Sequence, residues 1–442
     1  PMSPKWNMMN CIDVNPFQPG GAYVAATSYK FGDYTPYLYK TTDYGKTWKL
    51  ITKGIPDTYY ARAIRADKVR PGLLYAGTEW GMYISWDDGA NWQPFQLNLP
   101  IVSIRDLCIR DNALIAATHG RSFWMIDDLT PVQEISPAIA DKASYLFKNN
   151  PSYRMARDYG RRDERTEGEN YPDGVIFQYF SKMVDKDHPV KLEILEQDGD
   201  LIQSFSTDAK DRRQKLQADN GGNRFVWDMR YPGFTEFPGM VFYSSPNRGP
   251  KAPPGIYRAR LTADGEVTVQ EFEIIKDPRL TNTPEDYQAQ FDHLIKVRDR
   301  VSEANQAVID IRALRKDLLY YQDKIKDITD LKPAMDEIKD LDDQMTVIEN
   351  NIHQTKNHSV QDAINNGIRI NNRLAFLLAE GQMGDFRPTD QAQEFYQEAS
   401  QELQHELDDL DQLIVDKVNK INAMLTEYGM TPLVVKVRKG KP

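Results

Sequence analysis

The octapeptide TTDYGKTW at residues 41–48 is answered by SWDDGANW at residues 85–92. The shared pattern is Ser/Thr, any, Asp, any, Gly, any, Thr/Asn, Trp. It is carried by Thr41, Asp43, Gly45, Thr47 and Trp48, and again by Ser85, Asp87, Gly89, Asn91 and Trp92. Each residue type suits a tight turn between antiparallel strands. Asp accepts from nearby backbone N–H groups, Gly tolerates positive φ, and Trp returns onto the apolar side of the hairpin. The text around the turns repeats too: AYVAATS at 22–28, LLYAGTEWGMYIS at 73–85 and ALIAATHGRSFWM at 113–125. In the third copy a spacing of 40 sets Asp127 against Asp87 and Leu129 against Gly89, so the turn glycine is lost.

Self-similarity at about 40–45 residues with four short strands per unit is the signature of a β-propeller. Residues 1–135 therefore read as about three blades. Three blades do not close a ring, which takes about four. The expectation is that the remaining blades come from an upstream segment or a separate chain; position 1 is Pro rather than Met.

The repeats resemble the Asp-box (BNR) propellers of sialidases, xyloglucanases and sortilin receptors. THGRSFWMIDDLTP, residues 118–131, resembles the closing blade of bacterial sortilin-like propeller proteins, a family often labelled glycosyl hydrolase. The resemblance implies structural Asp-boxes on the outer edge, an extracytoplasmic setting, and a protein or peptide ligand, with a glycan as a further possibility. A calcium role would need six or more oxygens at regular spacing, which neither box supplies.

His119, Arg121 and Asp127 are the candidate binding residues. A His, an Arg and a carboxylate together suit an acidic sugar or acid–base chemistry; the other reading is a polar turn tying blades together. Cys11 and Cys108 fall at equivalent places in the first and third units and are expected to be buried free thiols.

Residues 136–170 read as a linker, within which five arginines (154, 157, 161, 162 and 165) alternate with acids and tyrosines. Residues 171–278 give short strands with hairpin signals at Asp198-Gly199 and Asp264-Gly265, predicting an Ig- or fibronectin-like β-sandwich. NRFVWD followed by PPGIYRARL resembles the Ig-like domain of flagellar hook-capping proteins, with Trp227 in the core. An apolar insertion, residues 234–252, reads either as packing on a neighbouring domain or as a ligand loop.

From Thr283 the apolar period becomes helical. Thr283-Pro284-Glu285-Asp286 is a helix start, and Leu403, Leu407, Leu410, Ile414, Ile421 and Leu425 form a near-heptad seam. Helices opening near residues 284, 333 and 359, with the seam helix fourth, predict an antiparallel four-helix bundle over 283–430, a packing or homodimer element. A basic tail, 431–442, ends the chain. The architecture expected is thus multidomain, β then α.

The formal charge of −10 argues against nucleic acid. No apolar run reaches membrane-spanning length. No nucleophile elbow, phosphate loop, metal spacing or cofactor motif is evident, so no catalytic residue, metal or cofactor is assigned. Two functions stand. One is an extracytoplasmic recognition protein or scaffold. The other is a glycoside hydrolase whose catalytic carboxylates lie upstream.

Overall fold

The computed structural model describes residues 4–155 and 171–435. Its first three sheets run in chain order. β1 (Met8–Val14), β2 (Ala22–Ser28), β3 (Asp33–Thr41) and β4 (Lys49–Leu50) form one antiparallel meander. β5 (Ala61–Ala66), β6 (Leu74–Thr78), β7 (Gly81–Ser85) and β8 (Gln93–Pro94) form the next. β9 (Ile104–Arg110), β10 (Ala113–Thr118) and β11 (Phe123–Ile126) form a third, with no fourth strand among the described residues.

These sheets stack face to face. Tyr23, Ala25 and Leu38 of the first share a core with Ile64, Leu74, Ala76 and Trp92 of the second. Ala63, Tyr75 and Ile84 of the second share another with Ile104, Leu107 and Leu114 of the third. Polar contacts cross the same seams. Tyr23 OH donates to Asp88 Oδ1 at 2.6 Å, and Arg65 Nη2 meets Asp106 Oδ1 at 2.8 Å. Successive four-stranded meanders stacked in this order are β-propeller architecture. The flank of β1 facing away from the second sheet leaves Met9, Ile12 and Val14 about three-fifths or more exposed.

The two Asp-box turns are built alike. Asp43 Oδ1 accepts from Thr47 N at 2.9 Å and Asp87 Oδ1 from Asn91 N at 2.8 Å. Gly45 N and Gly89 N each donate to the opening hydroxyl, Thr41 Oγ1 or Ser85 Oγ, at 3.0 Å. Gly45 and Gly89 have φ of 80° and 83°, the left-handed region in which a Cβ is disfavoured. The tryptophans differ. Trp48 Nε1 bonds its own turn at Gly45 O, whereas buried Trp92 reaches back to Ile51 O of the preceding sheet at 2.7 Å.

The third copy corrects the expected alignment by one residue. Leu74 pairs Ser85 across β6–β7, but Leu114 pairs Ile126 across β10–β11. The Thr118–Ser122 hairpin holds three residues where Thr78–Gly81 holds two, with Gly120 at φ 85°. Asp128, not Asp127, therefore stands where Asp87 stands, and Leu129 corresponds to Asp88. Asp128 Oδ1 accepts from Thr130 N and Thr130 Oγ1, opening α1 (Thr130–Glu134) in place of a returning strand. Asn150 and Gln178 also donate to Asp128, at 2.8 and 3.0 Å, tying this sheet to the next unit. The cysteines are free as expected, but Cys108 is exposed and Cys11 only half-buried. Each lies on the first strand of its sheet.

The stretch read as linker contributes structure. After α2 (Pro137–Ala140), β12 (Ser144–Leu146) and β13 (Ser152–Arg154) enter two sheets. β14 (Val175–Ser181), β15 (Val190–Leu195), β16 (Leu201–Ser206), β17 (Gly221–Trp227), β18 (Gly255–Ala263) and β19 (Glu266–Lys276) complete them. One sheet runs β12-β14-β17, the other β13-β19-β18-β15-β16. They close on one core containing Phe177, Trp227, Tyr257 and Phe272. Of the five arginines, Arg154 is buried at the edge of this unit; Arg157, Arg161, Arg162 and Arg165 lie outside the described residues.

The helical region comprises α3 (Pro284–Ile325), α4 (Lys332–Ile352), α5 (Ala363–Asn366), α6 (Ile370–Glu380) and α7 (Asp390–Glu427). Thr283 and Asp286 form a reciprocal capping box at the start of α3. The helix expected to open near residue 359 is broken: Gly367, at φ 74°, ends α5 before α6 begins. The seam residues of α7 face a core shared with α3, α4 and α6. Phe234 and Phe237 from the apolar insertion are buried in that core, with Phe242 against them, so the insertion packs on the helices. Residues 436–442 of the basic tail lie outside the described residues. Among the described residues no helix is long and apolar enough to cross a membrane.

Candidate functional site

In an antiparallel meander, alternate turns lie at alternate ends. The Asp-boxes join β3 to β4 and β7 to β8. The opposite end therefore collects the β2–β3 connection, the residues entering β5, the β6–β7 turn, the residues entering β9 and the β10–β11 turn. Backbone bonds confirm this: Glu79 N donates to Tyr60 O at 3.1 Å and His119 N to Ser103 O at 2.9 Å.

Aromatic rings concentrate at this end. Tyr29 and Tyr60 stack with centroids 5.1 Å apart and planes 13° apart. Tyr34 tilts against Tyr60 at 5.9 Å, and Tyr59 against Trp80 at 6.3 Å. The guanidinium of buried Arg62 lies 5.2 Å from the Tyr29 centroid and 4.9 Å from that of Tyr60. Tyr34 and Trp80 are about half exposed, and Phe31 more so. Rigid aromatic surface beside a fixed cation is the composition of a recognition hot spot.

The charge beneath is satisfied. Arg62 Nε meets Glu79 Oε2 at 2.5 Å, Arg62 Nη2 donates to Tyr60 OH at 3.0 Å, and Ser103 Oγ donates to Glu79 Oε2 at 2.7 Å. Burial works against the Glu79 charge, but the bonds from Ser103 and Arg62 outweigh it and hold its carboxyl below the usual range. Burial pushes the Tyr60 hydroxyl up. Glu79 is thus an ionised anchor for Arg62 rather than a protonated acid.

His119 and Arg121 belong to this end, on the three-residue β10–β11 turn, and both are exposed. His119 Nδ1 lies 2.9 Å from Arg105 Nη2. Arg121 caps the turn through its backbone, its N donating to Thr118 Oγ1 and its O accepting from Trp124 Nε1. Asp127 is not with them. It follows β11 at the opposite end of the strand, roughly 15 Å away at the ordinary strand rise. The expected triad therefore separates into a His–Arg turn and a distant carboxylate. Tyr29, Tyr34, Tyr60, Arg62, Glu79 and Trp80 were not singled out from sequence. Their available signal was position: each sits in or beside a strand-end connection of its repeat. Among the described residues no group of three His, Cys, Asp or Glu is placed to hold a metal ion.

No protein-family model matches the chain, and no curated protein matches it. Solved structures that align with it include YCF48 bound to a D1 peptide, at 14% identity over 60% of this chain and 67% of that one, TM-score 0.20. The GH74 xyloglucanase from Xanthomonas campestris aligns at 12% identity over 59% of this chain, TM-score 0.22. An ancestral GH74 enzyme aligns at 13% identity over 60%, also at TM-score 0.22. The alignments span 38% and 31% of those two enzymes. The likeness is slight, and the propeller reading rests on the strand order and stacking of the sheets themselves.

Proposed function

We propose that this chain is part of an extracytoplasmic recognition protein that binds a peptide or protein segment at the aromatic end of its propeller sheets. The observation that carries the reading is the Tyr29–Tyr60 stack under Arg62, with Arg62 locked by ionised Glu79. The site offers preorganised aromatic faces and hydrogen-bond donors. A glycosidase needs two carboxylates about 5–10 Å apart with opposed protonation, and Glu79, tied to Arg62 and Ser103, is not poised as the acid. In this reading the sheets are sortilin-like Asp-box blades, the open flank of β1 meets a further blade, the two-sheet unit is an Ig-like spacer, and the helices are a bundle for assembly.

The test is selection of binders from a random peptide library, followed by calorimetry. Tyr34→Ala and Trp80→Ala, both at exposed rings, are expected to weaken the selected peptide at least tenfold each. Peptides whose affinity ignores both changes contradict the site. Release of sugar from xyloglucan or a sialoside by the protein carrying its upstream segment would instead favour the hydrolase.

A further inference from the structure

A second site lies outside the aromatic end, along the outer edge of β11. In the first two sheets that edge is covered by the chain itself. Ile51 N donates to Leu38 O at 2.8 Å, continuing β4, and Phe95 N to Met82 O at 2.9 Å, continuing β8. Among the described residues β11 is terminal in the third sheet, where Asp128 turns the chain into α1. By the register above, Phe123 corresponds to Leu38 and Met82, Trp124 to Tyr39 and Tyr83, and Met125 to Lys40 and Ile84. Antiparallel pairing alternates, so the backbone groups of Phe123 and Met125 face outward. The two residues are 77% and 60% exposed.

Beside this edge runs an apolar groove whose walls include Phe95, Leu99, Leu114, Ala116 and Trp124. Each has a counterpart one repeat earlier: Ile51, Ile55, Leu74, Ala76 and Tyr83. Those five share a core with Trp92, the tryptophan that ends the second box and leads directly into β8. The loop bonds correspond as well, Ile55 N donating to Thr52 O and Leu99 N to Gln96 O. The groove is thus the third-sheet version of the Trp92 socket. Phe95 and Trp124 are larger than Ile51 and Tyr83 and take up part of its width.

We infer that β11 and this groove form a docking site for an extended peptide segment of a partner protein. The segment adds as the fourth strand of the third sheet and places one large apolar side chain, aromatic or aliphatic, in the groove. The backbone supplies affinity and the groove supplies selectivity, as in other strand additions. What fits the site is shown by the chain itself, in Trp92-Gln93-Pro94 one repeat earlier.

The probe is a synthetic peptide of residues 85–95, SWDDGANWQPF, titrated against the full chain by fluorescence anisotropy and mapped by hydrogen exchange. The expected result is saturable binding with new protection at residues 123–126. The Trp92→Leu peptide retains binding, and the Trp92→Ala peptide loses at least tenfold. Met125→Pro in the chain, which deletes an outward N–H, abolishes binding; should that variant not fold, the exchange map of the unmodified chain decides. Absence of saturable binding, equal binding of the Trp92→Ala peptide, or binding without protection at 123–126 overturns the proposal. So does protection of 123–126 that grows with chain concentration alone, since the occupant is then a second copy. This site does not rest on the aromatic end: protection at 29–34 and 59–62 would report that surface separately.

Discussion

Trp48 and Trp92 end identical turns but should differ sharply on truncation. Trp92 is 5% exposed, packs among Leu38, Ile51, Ile55 and Tyr83, and donates its indole N–H to Ile51 O at 2.7 Å. Trp92→Ala opens a cavity between the first and second sheets, costing about 3–5 kcal/mol. It also strands the Ile51 carbonyl, adding about 1 kcal/mol. Trp48 is half-buried, lies against the smaller cluster of Val24, Ala26 and Tyr39, and bonds only its own turn. Trp48→Ala should cost about 1–2 kcal/mol. Native-state hydrogen exchange resolved by segment is the assay, because a chain of several units does not unfold in one step. Trp92→Ala should lower protection in both 22–41 and 61–85, since the lost packing belongs to both sheets. Trp48→Ala should act on 22–41 alone. Equal costs, or a Trp92 effect confined to its own sheet, would refute the stacking argument.

Further outcomes follow from other parts of the fold. His353 is buried against Phe237 and beside Arg312 and Glu349; burial and the Arg312 charge hold its imidazole down at about 4. The folded form therefore favours neutral His353. Its contribution is complete above the unfolded value of about 6.5 and is lost as pH falls from there toward 4, by roughly 3 kcal/mol. His353→Gln should flatten the pH dependence of helical unfolding, measured by circular dichroism, across that window. Arg154, 3% exposed, reaches from β13 to Asp385 at 2.9 Å and to Gln290 at 2.7 Å. Asp385→Ala leaves that cation uncompensated and should destabilise the junction by about 3–5 kcal/mol in urea titration. Asp43 is held down to about 2 by bonds from the Thr47 hydroxyl and N–H. Its turn should therefore keep amide protection above pH 4 and lose it as pH falls from about 4 toward 2, read by exchange at Thr47.

The Asp-boxes were legible because the bonds that shape each turn, from Asp43 to Thr47 and from Asp87 to Asn91, are local. The third copy misled for an equally local reason. One extra residue in the His119–Arg121 turn shifts β11, and a fixed spacing of 40 then selects Asp127 instead of Asp128. His119 and Asp127 stand apart because β11 runs between them, and adjacency along the sequence is not adjacency in space. The helices were readable from Thr283 and from the α7 seam; Gly367 broke the third because its positive φ overrides the surrounding helical pattern. β12 and β13, three residues each, carry too little alternation to stand out, and their partners lie far along the chain. The aromatic end was hidden for the most general reason. Tyr29, Tyr60 with Arg62, Glu79 and Ser103 come from four separate connections, and only the alternation of turns in stacked meanders brings them together.

That stacking is measured most directly by a double-mutant cycle across the first seam, using Tyr23→Phe and Asp88→Ala. Tyr23 OH donates to Asp88 Oδ1 at 2.6 Å although 65 residues separate them. Contacting residues couple by about 0.5–3 kcal/mol, and the account predicts about 1 kcal/mol or more here. Strictly additive effects would mean that the first two sheets do not meet as described.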